Sequence, residues 1–480
     1  MFARSTTHIE ELATGLTPCQ KNLTFLSDAP MRTSISLSVY CRSLSLDLLI
    51  ALMAVAAVPL ATTPACAEPP PANSFEVIDA FPGLTFVDPI SMSFEPDNRR
   101  FLVASAGGLI YSYEANGDPA SKQLVLDIST RVKRDPRDGG LKSFALHPEY
   151  GQPGSSAERA VFVHYRYDPD LELDGLQAYN RVSRFHLVAG NAKASADSEV
   201  VLIQQFDRHN WHDGGDMVFG HDGYLYISTG DEGAGRDRFN SMSGLSGGLF
   251  GGVLRIDVDN DPMRSHAIRR QPSTPDGIPD GWPRSFTDNY GIPNNNPWAD
   301  PNGARLEEFW AYGLRAPHRM TVDKLTGEIW VGDVGEMAYE EINLVTSGGN
   351  YQWPYAEGNA PGPKPVPEKR IGIDRAPVWS YGRKLGQAVI GGYVYRGQRF
   401  ADRLYGKYIF ADHLSLRIWS LQRIEDGSPV VTQIATMPEG GYGASIASFA
   451  EDNQGEIYLL KWNGFNQDGG QILTLVRPPG

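Results

Sequence analysis

Trp211-His212-Asp213-Gly214-Gly215-Asp216-Met217-Val218-Phe219-Gly220-His221-Asp222-Gly223-Tyr224-Leu225-Tyr226-Ile227-Ser228-Thr229-Gly230-Asp231 is a pair of short apolar runs around a turn rich in Gly and Asp. Aromatic and β-branched residues on both sides of such a turn read as a β-hairpin. A turn centred between His221 and Asp222 sets His212 opposite Asp231 at the open ends, with Cβ atoms about 4.5–5.5 Å apart. A carboxylate there holds an imidazole in one tautomer and stabilises its protonated form, which turns a histidine into a directed general base. The same residues also suit two ordinary loops, and spacing alone leaves both readings open.

The hairpin is one copy of a recurring unit: a short apolar strand, a turn rich in Asp, Asn, Gly or Pro, and a second strand rich in aromatic and β-branched residues. Six copies begin near Met92, Phe144, Met217, Met320, Gly391 and Ile446, the fifth being the least typical. Helical periodicity is almost absent. Diverged multi-strand repeats of this length predict an all-β fold, a six-bladed β-propeller of four-stranded antiparallel blades with long inter-strand insertions. Phe75 to Ile78 is expected to pair with Ile472 to Val476, closing the ring and removing two exposed edges. The longest insertion, about 262–305, is rich in Pro and Asn, and a loop of that length is usually functional or mobile. A two-sheet sandwich is the competing architecture.

The repeats also sort residues by rim. Each unit leaves one rim, turns, and returns, so residues before its first strand and after its second share the starting rim. His212, Asp231 and Asp138 fall there. In the fourth unit a turn centred between Leu325 and Thr326 sets Arg315 opposite Glu336. Tyr381-Gly382-Arg383-Lys384 precedes the fifth unit and Gly441-Tyr442-Gly443 the sixth.

Residues 1–67 read as an over-long start followed by a cleaved secretory signal. Arg32 and Arg42 precede an apolar run from Leu48 to Leu60, and Ala65-Cys66-Ala67 is a small-residue cleavage site. Cys66 also invites a lipoprotein reading, although Thr63-Pro64-Ala65 is a poor context for it. The remaining domain, 68–480, is expected to be a single propeller without stable membrane insertion, because no later run is apolar for long enough. Cys19, Cys41 and Cys66 all lie in the leader, so the exported domain has neither a disulfide framework nor thiolate metal ligands. The leader's four basic and four acidic residues cancel, which assigns the net charge of −14 to the domain. That charge argues against nucleic acid as a partner and suits a small-molecule ligand.

Several stretches in order carry a family resemblance: Gly139-Gly140-Leu141 with His147-Pro148-Glu149-Tyr150, His212-Asp213-Gly214-Gly215, Gly230-Asp231, Gly252-Val253-Leu254-Arg255-Ile256-Asp257, Gly313-Leu314-Arg315-Ala316-Pro317, Glu341-Ile342-Asn343-Leu344, and Gly348-Gly349-Asn350-Tyr351-Gln352-Trp353-Pro354. Over most of residues 85 to 476 the chain resembles the soluble quinoprotein glucose/sorbosone dehydrogenases, six-bladed propellers that use pyrroloquinoline quinone (PQQ) and calcium. The resemblance implies that His212 takes the proton of a sugar's anomeric hydroxyl, with Asp231 behind it and hydride passing to the quinone. It implies that Arg315 lies beside the cofactor, where a fixed cation stabilises developing negative charge. It places Asp138 near the sugar, calcium on backbone carbonyls of the loop of Gly335 and Glu336, and a second calcium near Glu341 and the Tyr351 carbonyl, oxygen ligands being what this ion requires.

The chain also departs from that pattern. The family's paired arginines before the last repeat are replaced by Gly441-Tyr442-Gly443, Ala316 stands where an Asn contacts the cofactor, and the PQQ-contacting lysine aligns with Arg396. Arg383 and Lys384, on the same rim, either take over the cofactor's carboxylates or form a solvated pair. The leading expectation is an exported, calcium-assisted oxidoreductase that oxidises an aldose or related alcohol with PQQ and passes electrons to an unknown acceptor. The alternatives are a propeller that only binds a ligand or a protein, as hedgehog-interacting relatives do, and a calcium-dependent lactonase.

Overall fold

The computed structural model describes residues 74–478, except 136–137, 171–175, 274–275, 285, 426 and 439–443. The expected leader and Gly441-Tyr442-Gly443 therefore lie outside the described residues. Strands dominate the rest, broken only by short helical turns such as Ala192–Asp197 and Ala401–Leu404.

Five sheets are the antiparallel four-stranded blades of a propeller. Each is opened by one strand: Pro89–Phe94, Leu141–Leu146, Pro317–Val322, Val389–Val394 and Ala444–Glu451. That is one fewer four-stranded blade than the repeats predicted, because the sheet opened by Met217–Phe219 has six strands. Its first four, Met217–Phe219, Leu225–Thr229, Gly252–Ile256 and Phe309–Tyr312, pair antiparallel, and Gly349–Asn350 and Ile373–Asp374 then add in parallel. The opening strand of each sheet touches that of the next, and the last touches Pro89–Phe94, so the ring closes. The closure is the predicted one: Glu76–Asp79 pairs with Gln471–Val476, setting Val77 against Leu475.

Middle strands such as Leu225–Thr229 and Tyr408–Asp412 are buried along their whole length. Packed between neighbouring sheets, they read as continuous runs rather than as alternating ones. The 262–305 insertion packs down over its described residues. Ile278 and Trp282 bury against Tyr179 and Phe206, and Asn289 donates to the Val201 carbonyl at 2.8 Å.

At the axis, Arg319 is 2% exposed, with φ at +69°. Its guanidinium donates to the carbonyls of Ile90, Lys142, Gly215 and Ala447 at 3.0–3.1 Å, tying its own blade to three other blades and the Gly215 turn. These carbonyls converge on one guanidinium, so a single five-donor side chain satisfies groups that water would otherwise have to reach.

Candidate active site

His212 and Asp231 meet, although not by the route the spacing suggested. The observed register pairs Met217 with Ile227 and Phe219 with Leu225, centring the hairpin on Asp222. A regular extension of that register would set Glu232, not Asp231, opposite His212. Instead the chain leaves the sheet before Met217, with positive φ at His212 (+60°) and Gly214 (+93°). This turn draws His212 back over Gly230, where an added Cβ would lie 1.9 Å from the His212 carbonyl oxygen. Glycine at 230 is thus what lets the two segments touch.

His212 Nδ1 lies 2.6 Å from Asp231 Oδ1. An ionised carboxylate only accepts, so Nδ1 carries the proton and Nε2 is left with its lone pair. Asp231 is 1% exposed and also accepts from Gly233 N at 3.0 Å and Trp353 Nε1 at 2.8 Å. Burial pushes its carboxyl pKa up, but the hydrogen bond and charge of His212, with Arg315 nearby, outweigh burial and hold it below the usual value. Trp353 arrives because Gly349–Asn350 adds to Phe309–Tyr312 in parallel, after which Trp353 N bonds the Gly313 carbonyl. The extra strands of the six-stranded sheet thereby position the dyad.

The open side of His212 faces a cleft of about 610 Å³, lined also by Asp138, Trp211, His318, His413 and Leu414. Asp138 accepts from Lys142 Nζ at 2.5 Å, and Lys142 reaches Asp213 at 2.9 Å. Asp213 in turn binds the fully buried Arg166 at 2.6 Å. Burial raises the Asp138 pKa, opposed by Lys142 and reinforced by Asp213. This alternating chain of charges fixes the segment that carries His212, and the sequence reading missed Lys142, Asp213 and Arg166. The signal was present in Asp213, which directly follows His212.

Arg315 lies beside the dyad, its carbonyl accepting from Asp231 N at 2.9 Å. Its predicted partner Glu336 is elsewhere, accepting from Arg236 N at 3.1 Å, because a bulge between Pro317 and Met320 shifts the register. Arg315 Nη1 instead donates to the carbonyls of Val334 and Gly335 at 2.8 and 3.0 Å. Asp333 accepts from the backbone N of Arg315 and of Ala316 at 2.9 and 2.7 Å, and its pKa is raised to about 8 by burial and by the Glu341 charge.

Of the oxygens expected to hold calcium, the Gly335 carbonyl and the Glu341 carboxylate already have donors in this structure. The Gly335 carbonyl is bonded by a guanidinium, Glu336 caps Arg236, and Glu341 accepts from Asn343 Nδ2 and Gly358 N. The Tyr351 side chain is buried, its hydroxyl donating to the Leu344 carbonyl at 2.6 Å. Among the described residues no group of three or more His, Cys, Asp and Glu is arranged to hold a metal.

The expected anchors for a tricarboxylate are also redistributed. Arg396 pairs with Asp323 at 2.5 Å, at the turn end of the fourth repeat and therefore on the opposite rim, since the Val389–Val394 strand carries the chain across before Arg396. Arg383 is on the cleft rim but binds buried Glu340 and lies 3.7 Å from Glu357. Lys384 is exposed on that rim. Arg315 Nε is buried without a hydrogen-bond partner among the described residues. The open cleft beside His212 and the exposed Lys384 on its rim have room and charge for an acceptor-rich anionic group.

The family model for glucose/sorbosone dehydrogenases matches residues 86–278 and 284–473. HIPL1 protein of Arabidopsis thaliana is 31% identical over 298 residues, 56% of this chain and 39% of that protein. Hedgehog-interacting protein of Mus musculus is 26% identical over 78% of this chain and 48% of its own length. The chain thus spans about half the length of the curated relatives it matches. A crystal structure of a glucose dehydrogenase superposes with a TM-score of 0.60 at 19% identity, over 84% of this chain and 99% of that one, so the two share a fold. On the extent of the family match, the chain belongs to the glucose/sorbosone dehydrogenase family.

Proposed function

We propose that the cleft oxidises a sugar or related alcohol, with PQQ as hydride acceptor and His212 as general base. The observation that carries this reading is the His212–Asp231 dyad, whose free Nε2 opens on the cleft while Nδ1 is held at 2.6 Å. The six-stranded sheet serves as the sixth blade and holds Trp353 under the dyad. Arg315 and Lys384 are the cations left to hold the cofactor. The quinone supplies the two-electron acceptor chemistry when bound. His212 Nε2 takes the proton of the reacting hydroxyl, Asp231 stabilises the imidazolium, and Asp138 orients the remaining hydroxyls. The leader-like first 67 residues suit an exported protein.

The test is PQQ titration followed by absorbance, with dye reduction over a sugar panel. His212→Ala should still bind the quinone but lose sugar-dependent reduction by about 10²–10⁴-fold. No quinone binding by the intact protein, or an undiminished rate in the variant, refutes the proposal. The second reading, a propeller that only binds a ligand or protein, is favoured by one observation: Arg383 and Arg396 are already paired with carboxylates.

A further inference from the structure

A cavity of about 310 Å³ lies where the sheet opened by Val389–Val394 meets the chain entering the closing strand Glu76–Asp79. Its walls come from both. Arg403 and Lys407 stand on the turn that follows Val389–Val394, the turn that carries Arg396 on the rim opposite the cleft. Ser420 and Thr432 are direct partners across Arg417–Gln422 and Val430–Thr436, so their side chains share a face. Ser74 completes the lining, held there because Ser74 N and Phe75 N both donate to the Ile434 carbonyl at 2.8 Å.

We propose that this cavity binds a phosphate or sulfate group, free or carried as a monoester. Ser420 is 3% exposed and lines the cavity, and its hydroxyl has no hydrogen-bond partner among the described residues. A buried hydroxyl left in that state is costly, and a ligand oxygen supplies the missing acceptor. Lys407 is half-buried and pairs with no carboxylate among the described residues. The carboxylate of the lining, Asp402, is engaged by Arg477 and stands 3.9 Å from Arg403 Nε. Arg403, Lys407 and Arg477 thus face a single carboxylate, in a chain whose net charge is −14. The groups left over can all donate: hydroxyls, an ammonium and a guanidinium fork, a set that matches a tetrahedral oxyanion better than a neutral ligand. The acidic overall charge opposes a long polyanion, whose outer charges would meet like charge, and leaves the site to a small one. An anion held by these groups braces the entry of Glu76–Asp79 against the neighbouring sheet. None of this depends on the reading of the cleft.

Calorimetric titration and thermal unfolding of the full chain with inorganic phosphate, sulfate and glycerol phosphate, at ionic strength held constant with chloride, test this. At least one of them should bind with a dissociation constant of about 1 mM or tighter and raise the unfolding temperature. Lys407→Gln and Ser420→Ala should each weaken that binding about tenfold, with Lys407→Arg keeping most of it. Glycerol phosphate favoured about tenfold over inorganic phosphate assigns the site to a monoester, and equal or weaker binding assigns it to the free ion. Absence of binding by all three, or affinity undiminished in either Lys407→Gln or Ser420→Ala, overturns the inference. Should Ser420→Ala fail to fold, Lys407→Gln decides alone, because the Lys407 side chain makes no ion pair among the described residues.

Discussion

Asp231→Asn is the sharpest test of how the dyad is built. Asp231 uses two oxygens to accept from three donors, His212 Nδ1, Gly233 N and Trp353 Nε1, at a site 1% exposed. Asparagine has one acceptor oxygen. If that oxygen stays on His212 and Gly233, the amide nitrogen meets the Trp353 donor. If it turns to Trp353, His212 must give up its Nδ1 proton and carry it on Nε2, where it can no longer receive one from a substrate. Either way a buried donor is stranded, at a cost of about 1–3 kcal/mol. The acid limb changes as well. The Asp231 pKa is lowered in the fold, so its stabilisation is present above the unfolded value, near about 3.9, and is lost as pH falls through the folded value. The variant should lack that component of acid sensitivity. Denaturant unfolding across the acid range, with nitrogen NMR of the imidazole, measures both. A stability loss under about 0.5 kcal/mol together with an unchanged Nδ1–H tautomer would refute the reasoning.

Arg319→Met leaves four interior carbonyls without their donor and should cost about 3–5 kcal/mol in denaturant unfolding; a loss under about 1 kcal/mol would show that the axis does not depend on it. Asp333 has a raised pKa, to about 8, so it favours the folded state least once ionised, and stability should fall as pH rises from about 4 toward that value. Asp333→Asn should flatten this slope in urea titrations, and an unchanged slope assigns it to other groups. Because Arg315 already bonds the Val334 and Gly335 carbonyls, neither a chelator nor added calcium should move the unfolding temperature, and a calcium-dependent rise would refute that account of the loop.

Local patterns carried much of the architecture. Glycine- and aspartate-marked turns between aromatic strands announced a propeller, and the complementary ends Glu76–Asp79 and Gln471–Val476 announced its closure. The His212–Asp231 contact was legible as a pair, yet the register argument behind it was off by one residue, and positive φ at His212 and Gly214 repaired the difference. The Arg315–Glu336 pairing failed for the related reason that a bulge breaks the extrapolated register. Trp353 was quoted in a motif but not given a role, because its contact with Asp231 spans more than a hundred residues and depends on parallel strand addition.

Strand propensity, turn chemistry and the order of the repeats act over a few residues, so the sequence by itself determined the all-β repeat, the shared rim and the residues that gather there. Which of those residues face the cleft, and with what charge left to spend, was decided only in three dimensions. Arg396 crosses to the opposite rim, Arg383 is absorbed by Glu340, and Arg315 takes the Gly335 carbonyl, one of those expected for calcium. A cation is committed by whichever carboxylate or carbonyl the fold brings within about 3 Å, and no one-dimensional pattern encodes that meeting.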